Sequence, residues 1–261
     1  MGKLRDRVAI VTGDGRGIGT AMAVTLANQG AHIVLAAKTS REIETVANRV
    51  RAIGRQALAV PTDVSKKEQV DALAAEAYQA FGKVDILVNN AGVAIHNPIP
   101  KIELSDWQTT LDVNLTGVFL CTQAVFENMC QQKSGHIINV SSTAGVRAGA
   151  EFGSYAASKF GVIGFTQSTF AEGKRHGFKA YAVCPGPTDT KMRRDNHIDD
   201  LSKLSQPEDV ADLIVFLVTQ PHTAHMLETV IPTPLKYAQR LDPPVLLVPW
   251  WSVDGPESLL A

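Results

Sequence analysis

Tyr155 and Lys159 stand four residues apart in a stretch with helical periodicity, so their side chains share one face. A phenol can hand a proton to an oxygen that is gaining charge and recover it in the reverse direction; an acid tuned towards the working pH does this best. Free tyrosine titrates near ~10, too high for an efficient base, and an ammonium one helical turn away is expected to lower that value. Ser142 precedes Tyr155 by thirteen residues and ends an apolar run, where its hydroxyl can polarise a carbonyl rather than attack one. Its neighbour Ser141 is the rival for that role. A Tyr–Lys pair on a helix is equally common as solvated surface, and its weight comes from the motifs around it.

The second constellation is Thr12-Gly13-Asp14-Gly15-Arg16-Gly17-Ile18-Gly19, placed between an apolar run and a helical segment. Glycines in a strand-to-helix turn let backbone N–H groups approach a diphosphate, and the helix dipole favours its charge. Other chemistries fit poorly. No His or Asp stands at a spacing suited to activating Ser142 as a nucleophile, and the seven histidines show no metal-ligand spacing. No metal is expected.

These groups must be held by a regular scaffold. The runs Val8–Val11, Ala31–Ala36, Ala57–Val60, Ile86–Val88, His136–Val140 and Lys179–Val183 read as strands. They are nearly continuous in apolar residues, as when both faces of a sheet are covered. Between them, Gly17–Asn28, Ser40–Ile53, Lys66–Phe81, Asp106–Gln131, Ser154–His176 and Pro207–Val218 carry helical periodicity. Ser65 is read as capping the third of these, with Glu68 completing a capping box, and Ser105 as capping the fourth. Gly30, Gly54 and Gly82 mark helix ends. The alternation predicts an α/β fold: a doubly wound, Rossmann-type parallel sheet with helices on both faces, as a single domain over residues 1–234. Residues 235–261, with four prolines and the Trp250–Trp251 pair, read as an extended arm.

Composition sets the outer bounds. Apolar residues make up 45% and the formal charge is −1, a balance that gives no general attraction to nucleic acid or acidic membranes. Three cysteines without metal spacing read as small apolar residues in a reducing compartment. No stretch approaches the roughly 18–20 apolar residues of a membrane span, and the N-terminus is no signal peptide. A cytoplasmic location is expected.

Taken in order, the motifs resemble the short-chain dehydrogenase/reductase family, and within it the 3-oxoacyl-carrier-protein reductases and related ketone or sugar dehydrogenases. The glycine spacing Gly-x-x-x-Gly-x-Gly is followed by Asp63-Val64, Asn89-Asn90-Ala91-Gly92, Asn114, Ser141-Ser142, Tyr155-x-x-x-Lys159 and Pro185-Gly186. The resemblance covers about Arg5 to Ile231. It implies an oxidoreductase that moves a hydride between a nicotinamide dinucleotide and a carbonyl or secondary alcohol. Tyr155, Lys159, Ser142 and Asn114 would be catalytic. Lys159 would also hold the nicotinamide ribose, and Asn114 would anchor a water feeding protons towards Tyr155. An asparagine in that position equally suits a local backbone irregularity. The dinucleotide would lie along Gly13, Gly15, Arg16, Gly17, Ile18, Gly19, Lys38, Asp63, Val64, Asn90, Pro185, Gly186, Thr188 and Thr190, besides Tyr155 and Lys159.

NADP is expected over NAD, because Ala37 stands where an NAD enzyme carries an acid and the cations Arg16 and Lys38 flank the place of the extra phosphate. An NAD-dependent alcohol or polyol dehydrogenase is the alternative, and a non-catalytic dinucleotide-binding regulator a third. Substrate should meet Thr143–Phe152 and a lid over Pro187–Ser205. Met192, Ile198 and Leu201 would form the lid's inner face, with Lys191, Arg193 and Arg194 free to meet an anion. Two departures from the family, Tyr181 in the sixth strand and the Pro232-Thr233-Pro234 ending, bear on the pocket floor and the C-terminal contacts. A homodimer or homotetramer is expected from the family's paired long helices.

Overall fold

The computed structural model describes residues 2–196, 200, 203–221 and 226–231. Seven strands form one sheet: β1 (Val8–Thr12), β2 (His32–Ala37), β3 (Ala57–Pro61), β4 (Ile86–Asn89), β5 (His136–Val140), β6 (Lys179–Pro185) and β7 (Glu228–Ile231). Their order is β3-β2-β1-β4-β5-β6-β7, and every neighbouring pair is parallel. Parallel neighbours require crossovers, which the helices supply: α1 (Gly17–Asn28), α2 (Ser40–Ala52), α3 (Lys67–Phe81), α4 (Leu104–Leu111), α5 (Gly117–Gln132), α6 (Gly153–His176), α7 (Lys191–Asn196) and α8 (Pro207–Val218). β1 pairs with β2 on one side and β4 on the other, so the chain changes direction there. Outside the carboxyl ends of β1 and β4 lies the crevice where such sheets bind ligands.

Two cores sandwich the sheet. Met22 and Leu26 of α1, Ile43 and Val50 of α2 and Ile214 and Leu217 of α8 fill one face. Leu73 of α3, Val125 and Met129 of α5 and Phe178 fill the other. Each such side chain contributes about 1.5–3 kcal/mol by leaving water, so the sheet is a rigid platform. Gly30, Gly54 and Gly82 take positive φ at the ends of α1, α2 and α3 as expected.

The helix starts differ from expectation in two places. Ser65 caps nothing: its hydroxyl donates to Asp63 Oδ1 (2.7 Å), and α3 begins after Lys66. Ser105 lies inside α4, whose N-cap is Glu103. The segment expected as one helix over Asp106–Gln131 is α4 and α5 joined by a π-helical turn, Asp112–Thr116. No described helix is long and apolar enough to cross a membrane. The arm over 235–261 lies outside the described residues.

Candidate active site

The glycine turn after β1 is built to leave backbone exposed. Gly13 has φ 66°, and a Cβ there would stand 2.6 Å from the Ala91 Cα. Gly17 has φ 59°, and a Cβ at Gly19 would sit 2.4 Å from the Gly13 carbonyl oxygen. Side chains at these positions would close the turn. Arg16 is the N-cap of α1 in extended conformation, and its side chain makes no capping bond, so the first-turn amides remain open to an anion. These residues fit a diphosphate. Ile18 packs against the core behind the turn, while a Cβ at Gly17 would meet Thr190 Cγ2 at 3.2 Å. Thr190 therefore covers the turn from the segment after β6.

Asn90 serves this turn from behind: its Nδ2 donates to the carbonyls of Thr12 (3.0 Å) and Gly13 (3.1 Å). Thr12 Oγ1 in turn accepts the amides of Asn90 and Ala91. Pro185 is buried at the end of β6, the Gly186 amide donates to Ile231, and Thr188 Oγ1 donates to the Gly186 carbonyl at 3.0 Å. Val64 is buried against Gly117, within 2.7 Å of where a Cβ would be. Of the cations expected near the adenosine end, Lys38 pairs with Asp63 (2.8 Å) and Arg16 with Glu42 (3.8 Å), so neither stands alone. The β2–β3 register, Ala37 opposite Pro61, brings Lys38 and Asp63 together. Burial would raise Asp63, but bonds from Lys38 and Ser65 outweigh it and hold the carboxyl below its usual range. Sequence reasoning passed over Asp14, which is fully buried beneath this turn.

The same crevice continues to Asn114, Ser142, Tyr155 and Lys159. A Cβ at Gly92, two residues past Asn90, would lie 3.3 Å from Asn114 Oδ1 and 3.8 Å from Lys159 Nζ. Asn114 occupies the π turn, where the extra residue of the wider turn lets its side chain grip Val93. Oδ1 accepts the Val93 amide (2.8 Å), while Nδ2 donates to the Val93 carbonyl (2.9 Å) and to Ser158 Oγ (3.1 Å). The irregular-backbone role of this asparagine is therefore present. Lys159 is buried and donates to the Val140 carbonyl (2.8 Å), with Nζ 5.7 Å from the centre of the Tyr155 ring. Ser141 Oγ donates to the Lys159 carbonyl at 2.8 Å, which fixes α6 to the end of β5. Ser142 is left half-buried, bonded to the Tyr155 hydroxyl and accepting the Ala144 amide at 3.1 Å. The geometry separates the two serines: Ser141 braces α6 against β5, and Ser142 faces the phenol.

One expectation about charge fails. The phenol of Tyr155 is pushed above its ordinary value by burial, which the Ser142 hydrogen bond only partly offsets. Lys159 is not among the groups that lower it; burial brings Lys159 itself down to about 8, and its ammonium is held on the Val140 carbonyl. Two further side chains bear on the site. His96 lies 5.8 Å and Phe152 6.2 Å from the Tyr155 ring, centre to centre. Phe152 falls in the expected lining, whereas His96 carries no signal in the sequence. Gly145 falls in the same expected stretch without having been singled out: a Cβ there would stand 2.5 Å from Ser141 Oγ, so the loop after Ser142 can close only on glycine.

Among its described residues, the segment expected as a lid contains α7 and a bridge between Thr188 and Ser205. Met192 is exposed rather than inward, and Ile198 and Leu201 lie outside the described residues. Lys191 pairs with Asp195, and Arg194 grips both oxygens of Asp189 at 2.7 and 2.8 Å, so these two cations are engaged within the segment. Tyr181 is fully buried in β6, stacked on His136 at 5.9 Å and far along the strand from its carboxyl end.

The short chain dehydrogenase family model matches residues 7–200. A 3-oxoacyl-[acyl-carrier-protein] reductase of Synechocystis sp. (strain ATCC 27184 / PCC 6803 / Kazusa) is 40% identical over 233 residues, 87% of this chain and 94% of that protein. An uncharacterised oxidoreductase of Staphylococcus aureus (strain USA300) is 36% identical over 231 residues, 88% of this chain and 99% of its own length. Among solved structures, a metagenomic short-chain oxidoreductase in complex with NADP superposes with a TM-score of 0.78 at 32% identity, covering 89% of this chain and 99% of that one. An alcohol dehydrogenase of the archaeon Thermococcus sibiricus complexed with 5-hydroxy-NADP shares the fold with a TM-score of 0.82 at 24% identity, covering 88% and 97%. With a family model spanning most of the chain, a relative of this identity and the Ser142–Tyr155–Lys159 cluster beside the glycine turn, the protein belongs to the short-chain dehydrogenase/reductase family and is an oxidoreductase.

Proposed function

We propose that this oxidoreductase transfers a hydride between NADP(H) and a carbonyl or secondary alcohol, with Tyr155 as the group that gives and takes the proton. The observation that carries the reading is the continuity of the crevice. Gly13 packs on Ala91, and Gly92 borders both Asn114 and Lys159, so the diphosphate cradle and the phenol share one wall. A bound nicotinamide would supply or accept the hydride. The rest falls to this chain. Ser142 would polarise the substrate carbonyl while Tyr155 protonates its oxygen, and burial that keeps the phenol neutral suits the reductive direction. Lys159, one turn along α6, would supply positive charge to the oxyanion side and hold a ribose hydroxyl. NADP is supported by the short-chain oxidoreductase structure in complex with NADP, 32% identical, and by Ala37 at the end of β2. The Synechocystis relative's name supports a ketone-bearing substrate. One observation favours NAD as the second reading: the Lys38–Asp63 and Arg16–Glu42 pairs leave little net charge at the adenosine end.

The test is Tyr155→Phe. Turnover of a ketone substrate should fall about a hundredfold to ten-thousandfold, the usual contribution of a positioned proton donor, while NADPH binding by fluorescence stays within about threefold of the parent. Retention of most of the turnover would refute the assignment.

A further inference from the structure

Asp14 stands between two glycines of the cradle, yet its side chain is fully buried. Neither carboxyl oxygen makes a well-formed hydrogen bond among the described residues. Burial holds its titration well above the usual carboxylate range, and the backbone of Asp14 itself and of Ala36 gives the only offset. A buried, unpartnered carboxylate is costly, so a neutral acid is the form the fold accommodates.

Its position ties it to the phosphate-binding amides. The Asp14 carbonyl accepts the Thr20 hydroxyl at 2.7 Å, and its Cα lies 2.6 Å from where a Cβ on Gly19 would be. Asp14 therefore packs directly on the first turn of α1. The charged groups of the surrounding elements are Arg16 in the turn, Lys38 at the end of β2, Glu42 in α2 and Asp63 after β3. They form two pairs, and none contributes to the environment of Asp14. α1 has no charged side chain, and Asn90, just past the end of β4, is the polar group that meets the turn from that side.

We propose that Asp14 is a proton-controlled positioning residue of the dinucleotide cradle: protonated, it leaves the turn free to accept the diphosphate, and ionised, it opposes the diphosphate from beneath. The idea rests on the dinucleotide reading above and adds to it a residue outside the motif's glycines. A carboxylate charge within the turn that would receive the diphosphate, at an effective dielectric constant of about 20, would weaken binding by about tenfold or more.

The experiment compares dissociation constants of NADPH and NADH for the parent, Asp14→Asn and Asp14→Ala, over the whole pH range in which all three stay folded. Asp14 has ordinary negative φ, so both replacements fit its backbone. In the parent, affinity for both dinucleotides should fall about tenfold or more towards the alkaline end, beyond the change shared with the variants. Lys159 is present in all three proteins, so its titration cancels in the comparison. The variants should lack the Asp14 step and hold their affinity into the alkaline range. Parallel profiles in all three would overturn the inference and leave the functional reading standing. Absence of dinucleotide binding at every pH would overturn both.

Discussion

The two ends of the crevice are built on different principles. At the Tyr155 end the side chains around the phenol are fixed by bonds to main chain: Lys159 to the Val140 carbonyl, Ser141 to the Lys159 carbonyl, Ser142 to the Ala144 amide, Asn114 to both polar groups of Val93. At the adenosine end the fixed parts are glycines, and the side chains that could meet a ligand are exposed cations. Lys38 and Arg16 each have 64% of the side chain exposed, and each rests on a carboxylate. The first end specifies positions to within a hydrogen bond, and the second specifies a shape and leaves charge adjustable. Changes at the Tyr155 end should therefore act strongly on turnover, and changes at the other end weakly on affinity.

The largest effect expected in this contrast is at Lys159. Lys159→Met should lower kcat by about a hundredfold or more while not destabilising the protein at pH 7. Burial lowers the folded-state value from 10.5 to about 8, so below pH 8 the fold carries a buried ammonium that the unfolded chain keeps in water. Between about 8 and 10.5 the unfolded chain binds more protons than the folded one, and stability rises with pH on this account. Methionine removes both the cost and that slope. After allowing for the Val140 carbonyl left without its donor, the variant should gain on the order of 1–2 kcal/mol at pH 7 by thermal or urea unfolding. A clear loss of stability would make Lys159 a structural pin and blur the contrast.

The paired serines come next. Ser142→Ala should reduce kcat by about a hundredfold, and losing the acceptor of the Ala144 amide should cost about 1 kcal/mol of unfolding stability. Ser141→Ala should cost about the same through the lost bond to the Lys159 carbonyl but reduce kcat only severalfold. If the two exchanged effects on kcat, the distinction between brace and polarising group would fail.

This pair also shows how far the chain could be read before folding. Both serines, Tyr155 and Lys159 were legible because their spacing is local, and the six leading strands because their apolar runs are short and unbroken. Which serine braces and which faces the phenol depends on where α6 crosses the end of β5, which spacing only suggests. The π turn over Asp112–Thr116 was invisible because one extra residue in a turn barely disturbs helical periodicity. Ser65 and Ser105 misled because a hydroxyl near a helix start caps only if nothing nearer claims it; Asp63 claimed the first, and α4 began before the second. The burial of Asp14 and the Lys38–Asp63 pair were hidden for a common reason. Each depends on elements that neighbour one another in the sheet and not in the chain.

The smallest effect, and the sharpest probe of the adjustable end, is at Lys38. To meet a 2′-phosphate, Lys38 must share or leave Asp63, and an exposed pair of this kind is worth only about 0–1 kcal/mol. The pair is therefore little hindrance to binding. Lys38→Ala removes one attraction and also leaves the Asp63 carboxylate uncompensated beside the phosphate. NADPH affinity should fall about three- to tenfold, and NADH affinity less, because NADH lacks the group that both changes act upon. In an Asp63→Asn background the preference lost with Lys38→Ala should shrink, since the repulsive part is already gone. Raising the salt should shrink it further, because these charges are exposed. Equal losses for both dinucleotides would show that Lys38 answers only to Asp63, and the preference for NADP would then have to rest on Arg16 alone.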